Sequence, residues 1–85
     1  MNRKQRATLA ALFARPARSD LRWADVEGLI VALGGTVSVG RGSRARATLN
    51  GARAVFHRPH PKPTTPKATV EDLRAFLRAA GVEPP

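Results

Sequence analysis

The sequence predicts an α+β domain in which a three-stranded antiparallel sheet carries helices on one face and leaves the other open. Three observations support that expectation. Apolar residues recur at helical spacing around Leu9, from Trp23 to Leu33 and from Val70 to Ala80. Between Thr36 and His57 the pattern alternates as in strands, and Asn50-Gly51 stands inside that alternating region. A chain of 85 residues without an internal repeat has room for one domain and one modest core. Only 5% of the residues are aromatic and alanine is abundant, so the core is expected to be thin and any chemistry to sit on an open surface.

Between Lys4 and Ala14, the spacing of Leu9, Leu12 and Phe13 predicts a short helix, stopped by Pro16. A second helix over "WADVEGLIVALGG" aligns Trp23, Val26, Ile30 and Leu33, places Asp25 and Glu27 where the helix dipole favours acid, and ends at Gly34-Gly35. Strands follow at Thr36 to Val39, Ser43 to Leu49 and Ala52 to His57, the first two joined through "RGS". A two-residue type I′ turn requires positive φ at both positions, which Asn50 and Gly51 tolerate. Counting back from that turn pairs Leu49 with Ala52, Thr48 with Arg53, Ala47 with Ala54, Arg46 with Val55, Ala45 with Phe56 and Arg44 with His57. One face then carries Leu49, Ala47, Ala45, Ala52, Ala54 and Phe56, and the other carries Arg44, Arg46, Thr48, Arg53, Val55 and His57.

"RPHPKPTTPK" holds four prolines and reads as an extended loop. Thr69 is expected to cap the last helix, with Asp72 completing a capping box and Val70, Leu73, Phe76, Leu77 and Ala80 forming the buried stripe up to Gly81. The organisation is a basic N-terminal helical extension over 1–22, a folded domain over 23–82 and a tail over 83–85.

The charge narrows the class of partner. Fifteen Lys and Arg against six Asp and Glu give a net charge of +9, an excess that favours an anionic ligand. From Gly28 to Val70 there is no acid, while Arg41, Arg44, Arg46, Arg53, Arg58, Lys62 and Lys67 all fall in that window. These seven are the candidate RNA-binding residues, because concentrated cations with forked guanidinium donors suit phosphates; phosphate contacts alone do not distinguish RNA from DNA, which stands as an alternative. The alternative is a solvated, aggregation-resistant sheet surface. Like charges on neighbouring strands repel unless an anion arrives, which favours the binding reading.

No cysteine is present, so disulfides, thiolate metal sites and thiol nucleophiles are excluded and a cytoplasmic location is expected. No apolar run is long enough to span a membrane. "MNRKQRATLAALFARPARS" reads as a helical arm, with a membrane-surface helix or targeting peptide as the alternative. Neither a small-molecule cofactor nor a metal is expected: "HRPH" offers two ligands without a third nearby, and no glycine-rich phosphate loop or serine triad is evident.

His57 and His60 belong to the residue type that titrates near neutral pH, so they are the candidates for proton transfer. Internal attack in RNA needs a base for the 2′-hydroxyl, an acid for the leaving oxygen and cations for the strained phosphate. Histidines beside Arg44 and Arg58 meet those needs; binding phosphate or packing on proline is an equal alternative for each. Trp23 is either a stacking platform or, more in keeping with its place in an amphipathic helix, part of the core edge. Phe13, Phe56 and Phe76 sit at core positions, which disfavours base stacking on the sheet.

The pieces "VEGLIVALGGTVSVGRGSRARATL", "FHRPHP" and "TVEDLRAFLRAAGV", in that order over about Trp23 to Val82, resemble the HicA family, the small toxins of bacterial HicA–HicB toxin-antitoxin pairs. The resemblance implies a fold like that of double-stranded-RNA-binding domains, and an mRNA endoribonuclease neutralised by a HicB-type antitoxin. It also exposes one departure. Where the family carries its catalytic histidine after Gly-Ser, this chain reads Gly42-Ser43-Arg44, and a guanidinium stays protonated and cannot serve as a base. Three readings follow: Arg44 has made the protein an RNA binder without chemistry, His57 has taken over as base while Arg44 steadies the phosphate, or the basic surface chiefly grips an acidic antitoxin.

Overall fold

The computed structural model describes residues 1–60 and 62–85 and places the elements in the order α1 (Arg3–Leu12), α2 (Trp23–Ala32), β1 (Thr36–Val39), β2 (Arg44–Leu49), β3 (Ala52–His57) and α3 (Lys67–Ala79). The strands form one antiparallel sheet in the order β1-β2-β3. Its inward residues Ala45, Ala47, Leu49 and Phe56 pack in a single cluster with Val26, Leu29 and Ile30 of α2 and Val70, Leu73 and Leu77 of α3. The opposite sheet face is open, so the architecture is the expected α+β arrangement, consistent with a double-stranded-RNA-binding-domain-like fold.

The hairpin has the register that its turn dictates. Asn50 and Gly51 adopt φ of 49° and 85°, as a type I′ turn requires, and Arg44 pairs with His57 six residues back from the bend. Asn50 does more than tolerate positive φ. Its Nδ2 donates to the Ala80 carbonyl at 2.9 Å, tying the hairpin tip to the end of α3. At the other end of the sheet, Gly40 N–H donates to the Arg44 carbonyl at 2.7 Å, and Gly42 has φ of 63°. That turn takes up Ser43, so β2 begins at Arg44 rather than at Ser43.

Two helix starts differ from the sequence reading. α3 begins at Lys67 with Pro66 as N-cap, and Thr69 lies inside the first turn without capping it. Pro66 has φ −63° and ψ 154°, an extended geometry its ring favours, and its carbonyl accepts the first helical bond from Val70 N–H at 3.0 Å. α1 starts at Arg3 because Asn2 and Gln5 form a reciprocal capping box, with bonds of 2.8 and 2.9 Å. In α2, Leu29 is fully buried beside Ile30, whereas Leu33, the residue that caps the helix, is only partly buried against the core.

α1 is built into the core rather than appended to it. Leu9, Ala11 and Leu12 are buried in the same cluster as the sheet, and Arg74 of α3 reaches across to the end of α1. Although only 7% exposed, Arg74 is paired: Nε donates to the Leu12 carbonyl and an Nη to the Ala14 carbonyl, both at 3.0 Å. Arg78 stands over the Phe13 ring at 5.8 Å. Cations therefore close the carbonyl end of α1, where the helix dipole is negative.

Arg74→Ala is expected to lower the unfolding free energy by about 2–3 kcal/mol in urea titrations, because it leaves two carbonyls and a cavity behind. Asn50→Gly keeps the bend but loses the bond to Ala80, and is expected to cost about 1 kcal/mol by the same measurement.

Candidate nucleic-acid interface

Because side chains alternate along a strand, the register decides which of them share the open face. Three rows cross it. Thr36, Thr48 and Arg53 form the row nearest the Asn50-Gly51 bend; Ser38, Arg46 and Val55 form the next; Arg44 and His57 form the last. Arg44, Arg46, Arg53, Val55 and His57 are all exposed. Arg58 N–H donates to the Ser43 carbonyl at 2.6 Å, so the neighbouring pair Arg44 and His57 occupies the non-hydrogen-bonded position, where opposed side chains stand closest. Arg46, Arg53 and Val55 line a shallow groove of about 460 Å³ with Thr36, Ser38 and Thr48.

None of these arginines is neutralised by the fold. Among the described residues the ion pairs are Lys4 with Asp25 at 3.1 Å and Arg18 with Asp20 at 2.7 Å, both away from the sheet. The hydrogen bond from Arg18 holds the Asp20 carboxyl below its ordinary range, in the segment between α1 and α2. The face itself is a same-sign array with hydroxyls between the guanidinium groups.

The loop after β3 is fastened to the start of α2. Trp23 N–H donates to the Pro63 carbonyl at 2.9 Å, Thr65 N–H donates to the Leu21 carbonyl at 2.7 Å, and Arg22 pairs with Thr64 as an isolated bridge. This holds His57, Arg58, His60 and Lys62 around one open cleft of about 460 Å³. His57 thus faces Arg44 across the hairpin while sharing a cleft with His60. Arg41, in the β1–β2 turn, and Lys67, opening α3, are exposed but do not line that cleft. Among the described residues no group of three or more His, Cys, Asp or Glu is placed to hold a metal.

Trp23 belongs to the core edge. It is buried, with its ring 6.0 Å from that of Phe56, which in turn meets Phe76 edge-on at 5.9 Å. Sequence reasoning missed Thr36 and Ser38 on the open face, and Ser19 and Thr69 beside the histidine cleft. The alternation in "TVSV" carried the signal for the first two; nothing local marked the second pair.

The face can hold polyanions through its guanidinium groups, and the histidine cleft offers two imidazoles for proton transfer beside them. Compared with known proteins, the chain matches the family described as "HicA toxin of bacterial toxin-antitoxin" over residues 23–82. No curated protein and no solved structure matches it significantly. No helix among the described residues is long and apolar enough to cross a membrane.

An unneutralised array leaves an electrostatic mark on stability. Raising NaCl from about 0.05 to 0.5 M is expected to raise the melting temperature of the free protein by screening the arginines. The increment should shrink in Arg46→Thr, which removes one of the repelling charges.

Proposed function

The chain belongs to the HicA family of bacterial toxin-antitoxin toxins, and from that premise we propose that it binds RNA through the open sheet face and the loop after β3. The observation that carries this reading is the acid-free open face on which Arg44, Arg46 and Arg53 are exposed and, among the described residues, without an ion-pair partner, with His57 directly across from Arg44. Arg41, Arg58, Lys62 and Lys67 extend the cationic surface around it. Phosphate contacts of this kind give affinity without base sequence.

The catalytic form of the proposal makes the protein an mRNA endoribonuclease of the cytoplasm. His57 accepts the proton of a 2′-hydroxyl as that oxygen bonds to phosphorus. The bond from phosphorus to the 5′-oxygen breaks, and His60 gives the leaving oxygen its proton. Arg44 and Arg58 stabilise the charge that gathers on the phosphate. The close pairing of His57 with Arg44 and the cleft shared by His57 and His60 support this arrangement.

A second reading is favoured by Arg44 itself, a permanent cation where the family pattern has a base. In that reading the surface binds RNA without cutting it. In both readings a family toxin implies an antitoxin, and we propose a HicB-type partner that covers the cationic face.

Incubating the purified protein with labelled RNA separates these forms. Cleavage that is lost in His57→Ala or His60→Ala while retention survives supports the nuclease; retention without fragments supports the binder. Either way, Arg46→Ala and Arg53→Ala are each expected to flatten the salt dependence of binding by about 0.7–0.9 in log–log slope, and salt-insensitive binding contradicts both forms. Whether a HicB-like reading frame lies beside this one, and whether the two products copurify, tests the antitoxin; an isolated gene with no copurifying partner would count against it.

A further inference from the structure

β3 is an edge of the sheet, paired with β2 alone among the described residues. Its pairing turns alternate backbone groups outward. Arg58 N–H donates to the Ser43 carbonyl at 2.6 Å, while Arg44 uses its own N–H and carbonyl on the β1–β2 turn, with Arg41 and Gly40. Arg44 and His57 are therefore opposed without exchanging backbone bonds, and the alternation of an antiparallel ladder puts Val55 and Arg53 in the same class. The N–H and carbonyl groups of Arg53, Val55 and His57 point away from β2, and no further described strand or turn takes them up. Such a row is a template for another strand, and edges are commonly blunted by a proline, a bulge or a covering element. β3 runs its six residues in unbroken register without a proline. Its protection is charge: Arg53 and His57 stand along it, with Arg44 and Arg46 next across the sheet.

Beside this edge, on the helix side, lies a groove of about 440 Å³ between β3 and α3. Phe56 and Phe76, both buried in the core, line it together with Ala54, Ala75 and Ala79, of which the two alanines on α3 are exposed. Asp72 is the one carboxylate among its lining residues. Because side chains alternate, a strand added to β3 sends one set of residues into the groove and the other set beside the arginines. The groove suits small apolar side chains, and Asp72 repels acids there. The open face asks for acids, opposite Arg53 and His57. A second copy of β3 would instead bring cations against cations, so self-pairing is opposed.

We propose that the β3 edge takes an added strand from a partner protein, an extended segment that alternates acidic and small apolar residues. The inference rests on the reading of this chain as a toxin with an antitoxin partner, and it specifies how that partner is held. Backbone bonds supply the hold, the groove sets the register, and the acids occupy the guanidinium groups that otherwise meet phosphates.

The probe is a capped peptide of alternating Glu and Val, added to the full chain while amide exchange is followed by NMR. At about ten times its Kd, the peptide is expected to slow exchange at Arg53, Val55 and His57 about tenfold and to leave the outward amides of β1, Val37 and Val39, unchanged. A peptide of alternating Lys and Val, and one with the same Glu and Val residues in separate blocks, are expected to slow it by less than about twofold. Ala75→Glu, at an exposed helix position, is expected to weaken binding about tenfold by placing a carboxylate in the groove. Val55→Pro removes an outward donor without breaking a bond to β2, and is expected to weaken binding about three- to tenfold. No protection by the Glu–Val peptide, equal protection by either control peptide, affinity unmoved by both variants, or protection by a uridine-only RNA in place of the peptide would each overturn the added strand. Copurification with an adjacent HicB-like product tests the broader reading separately. A copurifying partner that leaves the three amides unprotected defeats the added strand alone, and peptide protection without a copurifying partner defeats the antitoxin while leaving the edge intact.

Discussion

A bend of two residues with positive φ governs which side of the sheet each hairpin residue faces. Asn50 and Gly51 leave no spare residue between β2 and β3, so Leu49 must meet Ala52 and every later pair is determined. A slip of one residue along either strand would send the arginines of that strand under the helices and bring its alanines and Leu49 or Phe56 into water. The burial of Ala45, Ala47, Leu49 and Phe56 opposes that slip, and the bond from Asn50 to the end of α3 anchors the same bend to the helical layer. Turn chemistry and core burial thus favour the same register, which is the consistency expected of a sequence with one well-defined fold.

The small side chains of the inward face have a structural consequence for the outer one. Alanines at positions 45, 47, 52 and 54 let the helices lie close to the sheet, and the limited apolar area is supplemented by α1. Close approach is required elsewhere too: a Cβ on Gly35 would collide with the Thr48 carbonyl oxygen and come within 2.9 Å of Ile30 Cγ2. With one sheet face occupied in this way, the other is left free of packing obligations and can hold a charge pattern that a core would not allow. The array opposes itself in the free protein, an arrangement that becomes favourable when a polyanion neutralises it.

The region matched by the family spans 23–82, yet the residues before it take part in the fold. Leu9 and Leu12 enlarge the core, and Arg74 and Arg78 of α3 are engaged by the end of α1 rather than by the outer surface. Two of the chain's cations therefore serve structure, and the net charge overstates the cationic character of the outer surface. The acid-free window from Gly28 to Val70 supplies Arg44, Arg46 and Arg53 to the open sheet face, Arg41 to the β1–β2 turn and Arg58 to the loop after β3.

Local chemistry was enough to read the strands, the Asn50-Gly51 bend, the pairing of Arg44 with His57 and the separation of an arginine face from an alanine face. Those features depend on φ preferences and on a period of two, which neighbouring residues carry by themselves. The start of α3 at Lys67, the burial of Arg74, the incorporation of α1 and the meeting of Ala54, Ala75 and Ala79 at one groove were not legible in that way. Each depends on segments far apart in the chain reaching the same place, and a carbonyl in need of a donor or a groove between a strand and a helix is defined only once that packing exists.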